Sequence, residues 1–202
     1  MTQPARRIGV FGGSFDPPHN THVALVNAAV AQLGLHEVRV FPTGQAWHKP
    51  RVLSAAPHRL AMARLAFDGV PRAMVDDREI RRPGPTYTID TLRELQLEHP
   101  GAQLYLLMGA DQAAALPQWR EWHEIIRIAI ISVAGRSQSA SNATGFGFSD
   151  MPGGRFAALD LPPTPVSATE IRQRVLASLG IAHLVPGAVA RYIEQHHLYL
   201  AS

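Results

Sequence analysis

The sequence predicts a doubly wound α/β domain, because three observations agree. Short, almost wholly apolar runs such as QLYLLMG at 103–109 and IAIISVAG at 128–135 are typical of parallel strands buried on both faces. Segments with apolar residues at helical spacing lie between such runs. The 202 residues, 46% of them hydrophobic and 17% charged, have the size and make-up of one globular domain. We therefore treat residues 1–202 as a single domain.

The first half of the chain alternates strands with helices. Apolar runs predict strands at 7–11, 36–42 and 73–75. Periodic apolar residues predict a first helix that Gly34 ends, a second that Ser54 caps with Pro57 in its first turn, and a third that follows the strand at 73–75. The residues expected on the buried sides of these helices are Val23, Val26, Val30, Leu33, Leu60, Ala63, Phe67, Ile89, Leu92 and Leu95.

The second half continues the alternation and adds a helical C-terminal end. After the strand at 103–109 we predict a short helix around Trp119 to Ile126, the strand at 128–135, a last strand at 156–162, and helices from Ser167 to Leu179 and from Pro186 to about His197. Residues 136–154 are rich in Ser, Gly and Asn and lack periodicity, which is typical of a surface loop. Their GFG lacks the third glycine and the following helix of a dinucleotide fingerprint.

Composition excludes several classes of protein. Without cysteine the chain has no disulfides and no Cys-based zinc site, and a reducing compartment such as the cytoplasm is the natural expectation. No run approaches ~18 consecutive apolar residues, so no membrane segment is predicted. The net charge of +3 is spread along the chain. That pattern is too mild for a nucleic-acid-binding arm and is compatible with small anionic ligands.

The stretch GGSFDPPHNTH at 12–22 joins the first strand to the first helix and predicts an anion site. Gly12 and Gly13 let backbone N–H groups approach a ligand closely, and the helix directs its N-terminal partial positive charge to the same place. His19 and His22, three residues apart, can both donate hydrogen bonds to phosphate oxygens. A capped surface turn or a metal-binding pair has the same spacing, although no third metal ligand is evident nearby.

The stretch PVSATEIRQR near the C-terminus predicts a second anion site. Ser167 and Glu170 have the spacing of a capping box, so a helix starts there with unpaired N–H groups in its first turn. Glu170 is explained by capping alone. Thr169 adds a hydroxyl, and Arg172 adds a guanidinium that suits a polyphosphate.

The two stretches together carry a resemblance to a known family. GGSFDPPHNTH resembles the G-[ST]-F-[DN]-P-x-[HT]-x-G-H signature of the HxGH-type nucleotidyltransferases, and VSATEIR resembles the C-terminal signature of the same superfamily. DDREIRRPGPTYTIDTL and LYLLMGADQAAALPQWREW resemble the middle of the bacterial nicotinate mononucleotide adenylyltransferases. The resemblance covers most of residues 7–199 and leaves out 137–154. It implies a Rossmann-like sheet and transfer of the adenylyl group of ATP to nicotinate mononucleotide in NAD biosynthesis.

The resemblance also implies a mechanism and a set of site residues. The 5′-phosphate of the mononucleotide attacks the α-phosphorus of ATP directly, and pyrophosphate leaves without a covalent intermediate. For catalysis the resemblance implicates His19, His22, Lys49 and Arg172. For ATP binding it implicates Gly12, Gly13, Ser14, Phe15, Gly109, Asp111, Arg136, Ser167 and Thr169. For mononucleotide binding it implicates Thr86, Tyr87 and Trp119. Mg²⁺ is expected on the ATP phosphates, largely through water and without a carboxylate cage.

The sequence departs from the family pattern in three places. Thr21 stands where the HxGH motif has glycine and adds a side chain beside the expected phosphates. Ala46 and Trp47 precede His48 and Lys49, where the family has two prolines. Arg136 is alone where the family tends to have two arginines after the strand.

The segment LPQWREW at 116–122 is expected to select the second substrate. The Trp119 indole can stack on a pyridine ring, whereas Trp122 is assigned to the core. A short helical start in this segment could direct its amides at the carboxylate of nicotinate. Arg120 could add positive charge there, or it could be a solvated surface residue.

Other functions remain open from the sequence. Phosphopantetheine or cytidylyl transferases share the fold and the motif but are usually shorter and lack the middle segments. A non-catalytic nucleotide sensor is a further alternative, with Thr21 marking the lost activity. Pyrophosphate release from ATP with nicotinate mononucleotide discriminates among these functions. The sequence does not indicate an oligomeric state.

Overall fold

The computed structural model of the chain describes residues 5–45, 53–135, 155–162 and 166–200. Within these residues the strands form one six-stranded sheet, and every neighbouring pair runs parallel. The strands are β1 (Arg7–Gly13), β2 (Glu37–Pro42), β3 (Ala73–Val75), β4 (Gln103–Gly109), β5 (Ala129–Gly135) and β6 (Arg155–Asp160). Their order across the sheet is β3-β2-β1-β4-β5-β6.

Helices connect the strands and cover both faces of the sheet. They are α1 (Asn20–Leu33), α2 (Ala56–Phe67), α3 (Arg78–Arg81), α4 (Thr88–Glu98), α5 (Ala110–Ala115), α6 (Trp122–Ile128), α7 (Ala168–Leu176) and α8 (Gly187–Gln195). A 3₁₀ helix, Leu116–Gln118, lies between α5 and α6. Among the described helices, none has the length and apolarity that crossing a membrane requires.

The alternating strand residues divide the core into two halves. On β4, Leu104 and Leu106 pack with α4 and α6, whereas Tyr105 and Leu107 pack with α1, α2, α7 and α8 on the other face. Strands buried on both faces give the apolar runs seen in the sequence. This arrangement confirms the predicted doubly wound α/β fold.

The strand order reverses between β1 and β4, which lie side by side at the centre of the sheet. The chain moves outward from β1 through β2 to β3, and then returns to β4 and continues to β5 and β6 on the other side. In open α/β sheets, such a reversal opens a crevice beyond the carboxyl ends of the two strands. Gly12 and Gly13 at the end of β1, with the loop that follows them, and Gly109 at the end of β4 therefore meet there.

The predicted cap of the second helix is wrong. Ala55 precedes α2 as its N-cap, and its side chain makes no capping bond. The backbone of Ser54 is used elsewhere, because its N–H donates to Asp16 Oδ2 at 3.1 Å and its carbonyl accepts from Arg59 Nε at 3.0 Å. Leu60 is only half-buried, and Arg59 is among the residues on the inner side instead.

The segment between β4 and β5 also differs from the prediction. The helix expected around Trp119 to Ile126 begins only at Trp122, and α5 together with the 3₁₀ helix was not predicted. Trp119 is extended, with φ −78° and ψ 146°, and Glu121 adopts a left-handed conformation with φ 53°. This break separates the 3₁₀ helix from α6, so the segment does not form one continuous helix.

The two C-terminal helices are shorter than predicted. The first ends at Leu176 instead of Leu179, because Ala177 bonds back to the helix and Ser178 then turns the chain with φ 55°. The second ends at Gln195, before His197. The prediction over-extended both helices by less than a full turn.

Candidate active site

A cavity of about 660 Å³ lies at the crevice between the carboxyl ends of β1 and β4. Its wall contains many of the residues that the sequence analysis implicated. These are Gly12, Gly13, Ser14, His19, His22, Thr86, Tyr87, Gly109, Asp111, Trp119 and Arg120. Residues far apart in sequence thus converge on one space that is large enough for a nucleotide-sized ligand.

The loop after β1 is shaped by Phe15. A Cβ placed on Gly13 would lie 3.0 Å from the Phe15 ring, whereas a Cβ on Gly12 would meet no atom within 4 Å. Phe15 is buried and packs edge-on against Phe11 and Phe67. Its side chain therefore belongs to the core, and any contact between Phe15 and ATP would have to come from its backbone.

The two histidines of the first motif stack on each other at the start of α1. Their ring centroids are 3.7 Å apart, and His22 Nδ1 accepts a hydrogen bond from the backbone N–H of His19 at 3.1 Å. The accepting Nδ1 carries no proton, so a neutral His22 carries its proton on Nε2. Burial lowers the pKa of His19 to about 4, which leaves this imidazole neutral at pH 7.

Two buried polar atoms in this wall have no hydrogen-bond partner within the described residues. They are Nδ1 of His19 and Oγ1 of Thr21. An unpaired polar atom in a protein interior is costly and calls for an explanation, such as a ligand or a water molecule. Both residues line the cavity, which is consistent with a polar ligand on this side.

The C-terminal motif is tied to the loop of the first motif. The Arg172 guanidinium donates to the carbonyl oxygen of Asp16 at 2.7 Å and to Thr169 Oγ1 at 3.0 Å. Ser167 caps α7 by accepting from the Glu170 N–H at 3.1 Å, which confirms the predicted cap. Val166 of this motif lines the cavity, whereas Ser167, Thr169 and Arg172 are not among the residues of its wall.

A second group of lining residues, here called the mononucleotide wall, contains the residues implicated in mononucleotide binding. Thr86 is buried, and its hydroxyl donates to the backbone oxygen of Glu79 at 3.4 Å. The Arg120 guanidinium lies over the Tyr87 ring, 4.6 Å from the ring centroid. Trp119 is partly buried beside these residues, and Trp122 packs against the core as expected.

The expectation that a helical start at LPQWREW directs the Trp119 and Trp122 amides at the substrate carboxylate is wrong. The segment forms a 3₁₀ helix over Leu116–Gln118, and the Trp119 N–H bonds back to the Leu116 carbonyl at 2.9 Å. The Trp119 amide is therefore already occupied. The Trp122 N–H likewise donates to the Trp119 carbonyl at 3.2 Å, so neither amide is available for a substrate carboxylate.

Comparisons with known proteins identify the family of the chain. The family model for cytidylyltransferase-like proteins matches residues 10–174. A protein named "Probable nicotinate-nucleotide adenylyltransferase" from Albidiferax ferrireducens is 55% identical over 194 residues, which cover 96% of this chain and 98% of that protein. Another of the same name from Methylibium petroleiphilum is 45% identical over 201 residues, covering 97% of this chain and 93% of that protein.

The chain belongs to the cytidylyltransferase-like family and, within it, to the nicotinate-nucleotide adenylyltransferases. Solved structures agree at the level of the fold. The Plasmodium falciparum nicotinic acid mononucleotide adenylyltransferase complexed with NaAD matches with a TM-score of 0.80 at 19% identity, over 96% of this chain and 97% of that one. The same enzyme complexed with APC matches with a TM-score of 0.76 at 18% identity and the same coverage.

Two residues that the adenylyltransferase resemblance implicated, Lys49 and Arg136, lie outside the described residues, as does the loop at 137–154. The other implicated residues are described. Asp111 is exposed at the cavity in the first turn of α5, which Gly109 precedes as N-cap.

Glu79 and Arg59 are buried charged residues of this adenylyltransferase that the sequence motifs do not indicate. Glu79 is 6% exposed in the cavity wall and accepts from Thr91 Oγ1 at 2.8 Å. Burial raises its pKa to about 7, against the lowering effect of the Thr91 bond. Arg59 lies behind the wall and bonds to several backbone carbonyls. The sequence does not distinguish either residue, because Glu79 lies in the charged stretch DDREIRR and Arg59 shares its helix with the exposed Arg64.

Proposed function

We propose that this chain transfers the adenylyl group of ATP to nicotinate mononucleotide, giving nicotinate adenine dinucleotide and pyrophosphate in NAD biosynthesis. The observation that carries the proposal is the single cavity with two different walls. The phosphate wall contains the glycine loop and the stacked His19 and His22. The mononucleotide wall contains Tyr87, Trp119 and Arg120. A cavity whose lining has both phosphate-binding groups and aromatic groups suits a reaction that joins two nucleotides.

The reaction needs positioning more than it needs acid–base chemistry. The nucleophile is an anionic phosphate oxygen, so no general base has to remove a proton and no covalent intermediate is required. The protein has to align this oxygen with the α-phosphorus and stabilise the charge that develops on the leaving pyrophosphate. We assign alignment to the two cavity walls and charge stabilisation to the donors at the start of α1.

The phosphate side of the site has three groups of donors. We assign the N–H groups of Gly12, Gly13 and Ser14 and the imidazoles of His19 and His22 to the α- and β-phosphates. Ser167, Thr169 and Arg172 are assigned to the β- and γ-phosphates. Lys49 and Arg136 remain assigned to ATP from the resemblance, and Gly109 and Asp111 to its nucleoside part.

The position of Arg172 supports its assignment to the β- and γ-phosphates. Its bonds to Asp16 and Thr169 hold the guanidinium between the two motifs, beside the start of α7. A polyphosphate that enters there would compete for the same donors, because a phosphate oxygen is a stronger acceptor than a carbonyl or a hydroxyl oxygen.

A divalent metal accompanies ATP in nucleotidyltransferases of this family, and we propose Mg²⁺. In the stretches that the structure describes, no three His, Asp or Glu side chains cluster so as to hold a metal ion. We expect the ion to be carried by phosphate oxygens and water, with Asp111 as a carboxylate at the cavity. The ion would neutralise charge on the phosphates.

For the second substrate we propose stacking of the pyridine ring on Trp119, with Thr86 and Tyr87 beside it. The carboxylate of nicotinate needs N–H donors or positive charge and no acceptor at its position. Because the Trp119 and Trp122 amides are occupied, we assign the Arg120 residue to this task, through its side chain or its own amide.

We further propose that residues 1–202 form one nucleotidyltransferase domain and that the protein acts in the cytoplasm. The continuous six-stranded sheet supports the first proposal. The absence of cysteine and the use of ATP support the second.

Pyrophosphate release with a panel of substrates tests the proposed function. ATP is offered with nicotinate mononucleotide, nicotinamide mononucleotide or phosphopantetheine, and CTP then replaces ATP. We expect the fastest release from ATP with nicotinate mononucleotide, and mass spectrometry should identify the dinucleotide. Faster release with phosphopantetheine or CTP would indicate a different transferase. No release with any pair would favour the nucleotide sensor, with Thr21 in a lost catalytic site.

A further inference from the structure

Arg59 is a buried cation that bonds to backbone carbonyls from three separate segments. It lies on α2 and is 2% exposed. Its Nη1 donates to Ser14 O at 3.1 Å and Thr43 O at 2.6 Å, its Nη2 to Gly44 O at 3.2 Å, and its Nε to Ser54 O at 3.0 Å. The planar guanidinium is suited to this task, because its five N–H donors point outward in a fixed fork.

Two of these segments form the phosphate wall of the cavity. Ser14 continues the glycine loop after β1, and Thr43 follows β2. The Thr43 N–H also donates to the Gly13 carbonyl at 2.9 Å, which extends the pairing of the two strands into their loops. Arg59 thus fixes the backbone of the phosphate wall from behind and lines no part of the cavity itself.

The segment at Gly44 and Gln45 continues from there to the mononucleotide wall. The Thr86 N–H donates to the Gln45 carbonyl at 3.3 Å, and Gln45 forms a parallel bridge with Pro85. A Cβ on Gly44 would collide with the backbone oxygen of Glu79 and lie 2.9 Å from Thr86 Oγ1. Only glycine permits this close approach, so the two walls are joined through a contact that leaves no space for a side chain.

From these contacts we propose that Arg59 is a positioning residue that holds the phosphate wall and the mononucleotide wall in register for the reaction. The proposal rests on the proposed function, because it requires two substrates that occupy the two walls. Arg59 acts through the carbonyls of Ser14 and of Thr43 and Gly44, and it needs no contact with either substrate. A misplacement of about 1 Å between reacting groups can cost about 10²-fold in rate, so register matters more here than at a binding site for one ligand.

The test compares a ligand that spans both walls with ligands that occupy one wall each. Nicotinate adenine dinucleotide spans both walls, whereas ATP alone and nicotinate mononucleotide alone each occupy one. For a ligand that spans two sites, affinity depends on the geometry between the sites. Calorimetric titration gives each Kd, and its stoichiometry reports the folded fraction of the same sample.

For Arg59→Met we expect a Kd for the dinucleotide at least about 10-fold higher, with the Kd of each single substrate changed less than about 3-fold. The value of kcat should fall by about 10- to 100-fold. Arg59→Lys should lie between this variant and the unmodified protein, because an ammonium group retains the charge but not the fork. Arg64→Met on the same helix is the matched control, since Arg64 is exposed and pairs only loosely with Asp77 at 3.5 Å, and it should match the unmodified protein.

Gly44→Ala provides a second test, in which the Arg59 side chain and its N–H donors are unchanged. It displaces the segment between the walls, so we expect the same selective loss of dinucleotide affinity. If Arg59→Met does not fold, the Kd values of the dinucleotide and of the single substrates for Arg59→Lys and Gly44→Ala test the proposal instead. An unchanged dinucleotide Kd in these variants, or an equal loss for all three ligands, overturns the proposal. An unmodified protein that neither makes nor binds the dinucleotide contradicts the proposed function instead.

Discussion

Each histidine of the first motif has a different environment, and the difference indicates a different task. His19 is buried, and its lowered pKa keeps it neutral, so it can donate to a phosphate only as a neutral imidazole. His22 is half-buried, and its Nδ1 is fixed by the His19 N–H. The remaining nitrogen of His22 has a defined direction and, in the neutral ring, the proton. We therefore expect His22 to be the more important donor as charge develops.

His22→Ala is expected to lower kcat by about 10²-fold or more, because it removes one donor to the developing charge. It also removes the acceptor of one hydrogen bond, worth about 1 kcal/mol, so the fold should persist with a slightly lower Tm. Steady-state kinetics and thermal unfolding measure the two effects. His183→Ala, at an exposed position, is the control. A near-normal kcat for His22→Ala would contradict the assignment.

Arg172→Ala is expected to raise the KM for ATP and to weaken pyrophosphate binding in the reverse reaction, because Arg172 is assigned to the leaving group. Forward and reverse kinetics measure both values. Arg174→Ala on the same helix is the control, since Arg174 bonds to the Gly180 carbonyl and should affect stability alone. Unchanged values for Arg172→Ala would leave this residue with only its structural bonds to Asp16 and Thr169.

Glu79 makes the free energy of unfolding depend on pH. Its pKa is raised to about 7 in the folded protein by burial, with Asp76 and Glu94 adding to the rise and Arg82 opposing it. The folded state therefore binds more protons than the unfolded state between about pH 4.5 and 7. The contribution of Glu79 to stability is complete below this window and is lost as pH rises through it.

Glu79→Gln removes the loss of unfolding free energy at high pH, because the amide does not ionise. Its side-chain oxygen can still accept the hydrogen bond from the Thr91 hydroxyl. We expect the variant to be more stable than the unmodified protein at pH 8, by an amount on the order of 3 kcal/mol, with little difference at pH 4.5. Urea unfolding at the two pH values measures it. Glu194→Gln, at an exposed position, should show no such pH-dependent difference. Equal stability of Glu79→Gln and the unmodified protein at pH 8 would show that Glu79 is not buried as a carboxylate.

At the scale of elements, the turn at 116–122 places Trp119 and Arg120 in the mononucleotide wall of the cavity. The 3₁₀ helix ends at Gln118, Trp119 is extended, and the left-handed Glu121 restarts the chain as α6. Arg93 fixes this corner through Glu121 at 2.6 Å. This geometry could not be predicted, because a left-handed glutamate has no sequence signature and the two tryptophans have the spacing of a continuous helix.

Substitutions in this turn separate stacking from charge recognition. Trp119→Ala should raise the KM of nicotinate and nicotinamide mononucleotide alike, since stacking does not distinguish them. Arg120→Ala should lower the preference for the acid, by about 3- to 10-fold if its charge is near the carboxylate. Arg127→Ala, an exposed residue of α6, is the control. Competition kinetics with the two mononucleotides measure the preference, and an unchanged preference for Arg120→Ala would make that side chain a surface residue stacked on Tyr87.

At the scale of the whole molecule, periodicity predicts the strands well, because in a parallel sheet they are buried on both faces and flanked by loops. Val38 and Leu106 lie in strands for this reason. The convergence of the two motifs also follows, since the resemblance implies it. Helix ends and short helices are less predictable, because single hydrogen bonds and backbone turns decide them, as at Ser54 and Leu179.

The parts of the site that sequence could not predict are those built on backbone atoms. Arg59 binds carbonyl oxygens, which every residue has, so no motif indicates its partners. Gly44 is needed because a neighbouring backbone approaches it, and that neighbour lies far along the chain. Phe15 lies within a binding motif, yet it supports the glycine loop from the core.

The ratio of kcat/KM for nicotinate mononucleotide to that for nicotinamide mononucleotide, measured with the unmodified protein and ATP, tests the substrate assignment most directly. The two substrates differ only in a carboxylate against a carboxamide. A charge-assisted hydrogen bond is worth about 1.5 to 3 kcal/mol, so we predict a preference for the acid of at least about 10-fold. Equal efficiency with the two mononucleotides would contradict the assignment, even if adenylyl transfer itself were observed.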